Sequence, residues 1–175
     1  GILNADNLLA YPDFRASERA FQMITQVAGR AGRRDVQGEV VVQTTQPGNP
    51  VIRQAASEDY EGMAAEQLAE RALFFYPPYS RLIGITLRHK DKDLLWDAAN
   101  SFGEKGRVHF GPLLLGPQPP AVDKVRGEYL LSFLLKCDRR APFRDVRRKL
   151  SETAEALASD TRFKNVAEVF NVDPQ

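Results

Sequence analysis

A glutamine and two arginines near the start of the chain have the types and spacing needed to bind a phosphate group. Gln26, Arg30 and Arg33 occur at positions i, i+4 and i+7 of the stretch Gln-Val-Ala-Gly-Arg-Ala-Gly-Arg, residues 26–33. Side chains at this spacing lie on one face of a helix. Arginine is always charged, and its planar guanidinium donates two parallel hydrogen bonds to phosphate oxygens. We therefore predict one half of a nucleotide site, because nothing else in the chain could hold a phosphate.

In nucleotide hydrolases an arginine of this kind neutralises the charge that develops in the transition state. Arg30 and Arg33 are accordingly predicted as catalytic residues, with Gln26 and Gly29 beside them in the nucleotide site. The alternative is a surface cluster that closes a helix, since cations also stabilise a helix C-terminus.

A second candidate site is basic. Residues 121–149 hold nine cations and four acids, although the formal net charge of the whole chain is only +1. A local surplus of this kind is typical of a surface that contacts phosphates, and an adjacent tyrosine can stack on an unpaired base. The alternative is a solvated helix face. The predicted DNA-binding residues are Lys124, Arg126, Tyr129, Arg139, Arg140, Arg144, Arg147 and Arg148.

The composition excludes several other classes. With 43% hydrophobic and 27% charged residues, the chain resembles an ordinary globular protein without a membrane span, and we predict a cytoplasmic location. A single cysteine, Cys137, excludes an internal disulfide and a multi-cysteine zinc site, and His89 and His109 are isolated, so no metal site is predicted. The chain starts in an apolar, strand-like segment, which we interpret as part of a longer polypeptide.

The elements that position the phosphate motif are predicted to be mixed α and β. Residues 1–5 and 39–44 have strand character, and Ser17 can cap a helix that carries the motif. A helical stretch follows from 51 to 75, with a break near Asp59.

Pro77-Pro78 is the best boundary, which gives a first domain at 1–76 and a second at 77–175. The order of elements in the second domain, βαββαβ, is that of the α+β ferredoxin-like arrangement. Trp96 is predicted to pack in the core with neighbouring leucines rather than to stack on a base. The predicted elements are strand 82–87, helix 91–104, strand 107–115, strand 129–136, helix 142–159 and strand 165–172.

Taken with its context, the motif at 26–33 resembles the sixth motif of superfamily-two helicases and translocases. The whole chain, from residue 1 to 175, is similar to the C-terminal part of the PriA family of bacterial replication-restart helicases (primosomal protein N′). The segments that carry this resemblance are Leu3–Asp6, Pro12–Arg19, Tyr76–Tyr79, Leu115–Pro117 and Val172–Pro174.

The resemblance implies an α/β fold in which residues 1–76 form part of the second RecA-like helicase lobe. It implies that Arg30 and Arg33 contact the terminal phosphate of ATP, one of them as the arginine finger, and that Gln26 positions the nucleotide. The C-terminal domain would bind forked or single-stranded DNA. Single-strand-binding protein and other primosome proteins would be the partners of a 3′-to-5′ helicase.

The resemblance also implies components that this sequence does not contain. It has no phosphate loop, no Asp-Glu pair for Mg²⁺ and none of the cysteines that bind Zn²⁺ in the family, so ATP, Mg²⁺ and Zn²⁺ would be bound mainly upstream. The chain alone is therefore not expected to hydrolyse ATP. Two alternatives remain, a non-enzymatic nucleic-acid or protein-docking module and a different superfamily-two translocase.

Overall fold

The computed structural model describes residues 1–10, 13–31 and 39–174. The chain divides into two compact units, Gly1–Phe74 and Phe75–Gln175, each with its own hydrophobic core.

The first unit is built from four helices: α1 (Asp6–Leu9), α2 (Ala16–Ala31), α3 (Pro50–Ala56) and α4 (Tyr60–Leu73). Ala20, Phe21 and Ile24 recur at helical spacing on α2 and are buried in the core, where α2 packs against α3. Ser17, the predicted cap, lies inside α2. The carboxylate of Asp13 instead accepts the backbone N–H of Arg15 at 3.0 Å, just before the helix begins.

The predicted break near Asp59 is confirmed, and the side chains at both helix starts explain it. Asn49 accepts the backbone N–H of Val51 at 3.0 Å where α3 begins. Asp59 accepts the N–H of Gly62 at 2.9 Å where α4 begins. Each side chain satisfies a backbone donor that has no partner within its own helix, which favours a new helix start at that point.

The strands predicted at 1–5 and 39–44 are wrong as full strands. The two segments meet only at an isolated parallel bridge between Ile2 and Val42. Backbone hydrogen bonds from Ile2 to Val41 (2.8 Å) and from Ala5 to Gln43 (2.9 Å) hold them together. A two-segment pairing without further neighbours gives too few ladder hydrogen bonds for a regular strand.

The second unit is a sheet with two helices. Its elements are β1 (Ser80–His89), α5 (Lys92–Phe110), β2 (Leu114–Gln118), β3 (Lys124–Val125), β4 (Glu128–Asp138), α6 (Phe143–Ala158) and β5 (Ala167–Val172). The sheet order is β2-β4-β1-β5, every neighbouring pair is antiparallel, and β3 pairs with β4.

Alternating residues of the two central strands form the core of this unit. Ile83, Ile85 and Leu87 of β1 are buried, and each lies opposite a buried residue of β4: Leu135, Phe133 and Leu131. Because side chains alternate across a strand, these residues share the sheet face on which α5 and α6 pack.

The helix predicted at 91–104 is longer than expected, and the strand predicted at 107–115 is wrong over its first half. Helix α5 continues to Phe110, and β2 begins only at Leu114. Gly103 and Gly106 lie on the buried side of α5, where a Cβ on Gly106 would come within 2.5 Å of the Leu114 side chain. Residues 107–110 have strand-like composition, but tertiary packing at these glycines keeps the backbone helical.

Candidate functional site

The C-terminal turns of α2 carry the phosphate motif. Gln26, Gly29 and Arg30 all lie within the helix and are exposed, and the spacing of Gln26 and Arg30 places them on one face. Arg33 lies outside the described residues. Within the part of the chain that the structure describes, neither Gln26 nor Arg30 has a side-chain hydrogen bond or ion pair. As far as the described residues go, their donors are available to a ligand.

An open concavity of about 610 Å³ runs along the middle of α2 and meets the motif at Gln26. Among the described residues, those that line it are Arg19, Gln22, Met23, Thr25 and Gln26. Arg19 is held by Asp13 at 2.9 Å. The concavity gives room for a polar ligand beside Gln26.

Gly29 has no structural reason to be glycine within the described part of the first unit. A Cβ added there would meet nothing within 4 Å, and its backbone is not left-handed. Glycine inside a helix costs about 1 kcal/mol relative to alanine. The position therefore leaves space beside Arg30 at some cost to the helix.

Asp6 holds the segment that follows the bridge at Val42. Its carboxylate accepts hydrogen bonds from the Thr44 hydroxyl, the Thr45 hydroxyl (2.7 Å) and the Thr45 backbone N–H (2.9 Å). These donors favour the ionised form, so the Thr44 hydroxyl above all, together with Thr45, lowers the pKa of Asp6 below its ordinary value of 3.8. Asp6 thus has a structural role.

The basic residues predicted to form one patch lie at two ends of the second unit. Lys124, Arg126 and Tyr129 are at the start of β4, whereas Arg139 and Arg140 follow its end. Strand β4 has 11 residues, which at the usual rise separates the two groups by roughly 30 Å. Closeness in sequence therefore does not give one continuous surface.

The cations of helix α6 also differ from one another in their surroundings. Arg148 pairs with Glu152 at 2.8 Å and lies 3.9 Å from Asp145. Arg147 borders a groove between α6 and β5, and Arg144 is exposed in the first turn. Arg139 donates to the carbonyl oxygen of Pro78 at 3.4 Å.

Lys136, another of the nine cations in residues 121–149, does not belong to an exposed basic surface. It is 9% exposed, its ammonium lies 3.6 Å from the centroid of the Tyr76 ring, and burial lowers its pKa.

The group at the start of β4 lies beside Trp96, for which the sequence predicts core packing rather than base stacking. Trp96 does pack against the core, but it is only half-buried and borders a cavity together with Tyr129. The ammonium of Lys124 lies 4.4 Å from the centroid of the Tyr129 ring. Trp96 and Tyr129 belong to different elements, so only the topology brings them together.

The described residues contain no group of three or more His, Cys, Asp or Glu side chains that could hold a metal ion. The only cysteine, Cys137, is buried, and burial raises its pKa. Within the same residues no helix combines the length and the apolar character that crossing a membrane requires.

A sequence model of the family described as "Primosomal protein N C-terminal domain" matches residues 72–175. The chain belongs to this family.

Its relatives include proteins named "Replication restart protein PriA". The one from Thermotoga maritima is 34% identical over 173 residues, covering 99% of this chain and 22% of the relative. The one from Haemophilus influenzae is 35% identical over 178 residues, covering 99% and 23%. The one from Synechocystis is 46% identical over 141 residues, covering 78% and 17%. The chain thus spans about a fifth of the length of these relatives.

Proposed function

We propose that the chain is the C-terminal part of an ATP-dependent 3′-to-5′ DNA helicase that recognises stalled replication forks and initiates primosome assembly. The observation that carries this proposal is the similarity, along 99% of the chain, to proteins named for replication restart. Forked or single-stranded DNA, single-strand-binding protein and other primosome proteins are the partners proposed with it.

The two units take different parts in this proposal. We infer that residues 1–74 belong to a RecA-like lobe, because the parallel bridge between Ile2 and Val42 flanks α2 as in a βαβ unit. We infer a ferredoxin-like arrangement for 75–175. Leaving out the short β3, its elements follow βαββαβ in an antiparallel sheet, which supports this assignment.

Arg30 is proposed to contact the terminal phosphate of ATP, with Gln26 beside it and Arg33 as the second candidate finger. The support is that Gln26 and Arg30 are exposed on α2 with no side-chain partner among the described residues, together with the space at Gly29. Guanidinium and amide donors suit phosphate oxygens, where they stabilise developing charge. The remaining ATP contacts, Mg²⁺ and Zn²⁺ belong in this proposal to the upstream part of the longer protein, so this chain alone does not hydrolyse ATP.

The test uses the longer protein with Arg30→Ala, Arg33→Ala or Gly29→Ala. DNA-stimulated ATP hydrolysis and DNA affinity are measured separately. Loss of a finger arginine lowers hydrolysis on the order of a thousandfold, with DNA affinity nearly kept. Gly29→Ala lowers hydrolysis although the helix gains up to about 1 kcal/mol.

Arg53→Ala is the matched control, because Arg53 is also an exposed arginine in the last turn of a helix of the first unit. It should leave hydrolysis unchanged. If Arg30→Ala and Arg33→Ala behave like Arg53→Ala, the nucleotide role is wrong.

The second candidate is a non-enzymatic nucleic-acid or docking module, favoured by the two basic ends of the second unit. It predicts that the arginine variants weaken DNA binding and leave no hydrolysis to lose. A third possibility, a different superfamily-two translocase, predicts hydrolysis without any preference for forked DNA.

A further inference from the structure

A small cavity opens where α5 begins above one end of the sheet. Its volume is about 90 Å³, and two half-buried aromatic side chains, Trp96 and Tyr129, border it. Lys92, Pro119 and Asp123 stand at its exposed rim. Aromatic rings with a few polar groups at the edge are a lining typical of ligand sites, and the small volume limits the occupant to one small group.

The topology determines which side chains meet here. Tyr129 lies opposite His89 of β1 and Lys124 of β3, on the sheet face that α5 covers. Trp96 belongs to the early part of α5, which begins after the cap residue Asp91. Both rings also pack against the core, so they are held in place.

Three cations lie on the elements that border this cavity, beside the Asp123 carboxylate at its rim. Lys92 lies at its rim, Lys124 lies over the Tyr129 ring, and Arg126 is exposed in the turn between β3 and β4. Within the described residues none of the three takes part in an ion pair. Their charge complements a phosphodiester backbone that passes the cavity mouth.

We propose that this cavity binds one unpaired base of single-stranded DNA, with the base against Trp96 and Tyr129 and the flanking phosphates on Lys92, Lys124 and Arg126. The inference rests on the proposed DNA-binding role and names the place where a base is held. The Asp123 carboxylate accepts a hydrogen bond from an exocyclic amino group, so cytosine is favoured over thymine.

Lys124 does not block the ring. Its ammonium is held by the Tyr129 ring and by the tyrosine hydroxyl at 3.3 Å, both at an exposed site. Stacking of a base on an aromatic ring outweighs a cation–π contact at an exposed site. When a base stacks on the Tyr129 ring in place of the ammonium, the flexible lysine side chain turns to a flanking phosphate.

Trp96 is the only tryptophan of the chain, so its fluorescence reports on this cavity directly. The 175-residue chain is titrated with oligo-dC, oligo-dT and an abasic oligonucleotide of the same length. We expect strong quenching by oligo-dC, weaker binding of oligo-dT and no quenching by the abasic chain. Tyr129→Ala weakens oligo-dC binding by about fivefold or more and leaves abasic binding unchanged.

Three further variants control for a folding defect, for the base preference and for charge. Tyr129→Leu keeps apolar bulk against the core and should show the same loss as Tyr129→Ala. Asp123→Asn changes only an exposed side chain and should abolish the preference for oligo-dC over oligo-dT. Arg139→Ala/Arg140→Ala removes two charges at the far end of β4, so it should weaken all three oligonucleotides similarly and leave quenching at saturation unchanged.

The outcomes separate the inference from the role on which it rests. If the oligonucleotides bind without quenching, if the abasic chain quenches equally, or if both Tyr129 variants bind normally, the base site is wrong and the DNA role stands. If no oligonucleotide binds, the proposed DNA contact of this unit fails, and the base site fails with it.

Discussion

The arginines among the described residues divide into those paired with a carboxylate and those without such an ion pair. Arg71 lies 2.7 Å from Glu18, Arg148 lies 2.8 Å from Glu152 and Arg162 lies 2.6 Å from Asp160. The pairs of Arg148 and Arg162 are exposed and contribute little to stability, whereas the Arg71 side chain is largely buried. All three pairs neutralise charge locally. Among the predicted DNA-binding residues, Arg148 is therefore a weaker candidate than Arg144 or Arg147, for which the described residues provide no ion pair.

The hydrogen bonds to Asp6 predict that the stability of the fold depends on pH. Because the folded-state pKa of Asp6 is below 3.8, its ionised form stabilises the fold above that pH. This contribution is lost as the pH falls from 3.8 through the folded-state pKa. We expect Thr45→Ala, which removes a hydroxyl donor, to move the pKa of Asp6 towards 3.8 in a carboxyl NMR titration.

Asp160 is the internal control for that titration. Its pKa is held at about 2, chiefly by the side-chain hydrogen bonds from Arg162, and Thr45 is not among the groups that lower it. Thr45→Ala should leave it unchanged. An Asp6 titration that is the same in both proteins would contradict the role assigned to the hydrogen bond from Thr45.

At the scale of elements, the sequence predicts most of the second unit, since its strands alternate and its helices have clear starts. The strand predicted at 82–87 and the helix predicted at 142–159 are confirmed within a few residues. Residues 107–110 are predicted as a strand but belong to helix α5, and this error has a physical cause. Gly103 and Gly106 resemble helix breakers in sequence, yet they allow α5 to pack closely on the sheet and on Leu114.

The candidate sites were predictable only where their residues share one element. The spacing of Gln26 and Arg30 lies within α2, so the sequence alone places them on one face. The basic run at 121–149 crosses strand β4, and an extended strand separates residues that are close in sequence. Trp96 and Tyr129 border the same cavity because of the way α5 lies over the sheet, and no local sequence pattern predicts this arrangement.

Two glycines of the sheet region have positive φ but different surroundings, so the stabilities of their alanine variants can be compared. Gly116 (φ +110°) lies where the β2–β4 register shifts, and a Cβ there would come within 2.7 Å of the Ser132 carbonyl oxygen. Gly127 (φ +84°) lies in the β3–β4 turn, where a Cβ would meet nothing within 4 Å. We expect Gly127→Ala to cost about 1 kcal/mol of unfolding free energy and Gly116→Ala at least about 2 kcal/mol, because a backbone clash adds to the strain.

Chemical denaturation of the two variants measures this difference. Circular dichroism should show the native secondary structure in both proteins at low denaturant. Equal midpoints for the two variants would show that the close approach to β4 at Gly116 does not limit the fold.

At the scale of the whole molecule, the two units differ in the size of their cores. Among the residues that the structure describes, the core of 75–175 contains 16 buried residues beside a five-stranded sheet, whereas that of 1–74 contains eight beside an isolated bridge. Stability differs across a structure with the number of buried apolar contacts. We expect residues 75–175 to fold as a separate polypeptide, with amide hydrogen exchange of β1 and β4 slower than that of α2 in the full chain.

Far-ultraviolet circular dichroism and hydrogen exchange on the separate polypeptide test this expectation. A cooperative thermal transition with protected β1 and β4 amides would support it. An unfolded spectrum for residues 75–175, or faster exchange in β4 than in α2, would contradict it.

Strand β4 also sets a length for any nucleic acid that reaches both of its basic ends. The roughly 30 Å between them corresponds to about nine base pairs of duplex, because each pair adds 3.4 Å along the axis. A shorter oligonucleotide can neutralise the cations of only one end. Binding measured against oligonucleotide length should therefore rise in a step, and the salt dependence should steepen at the same length as additional counterions are released.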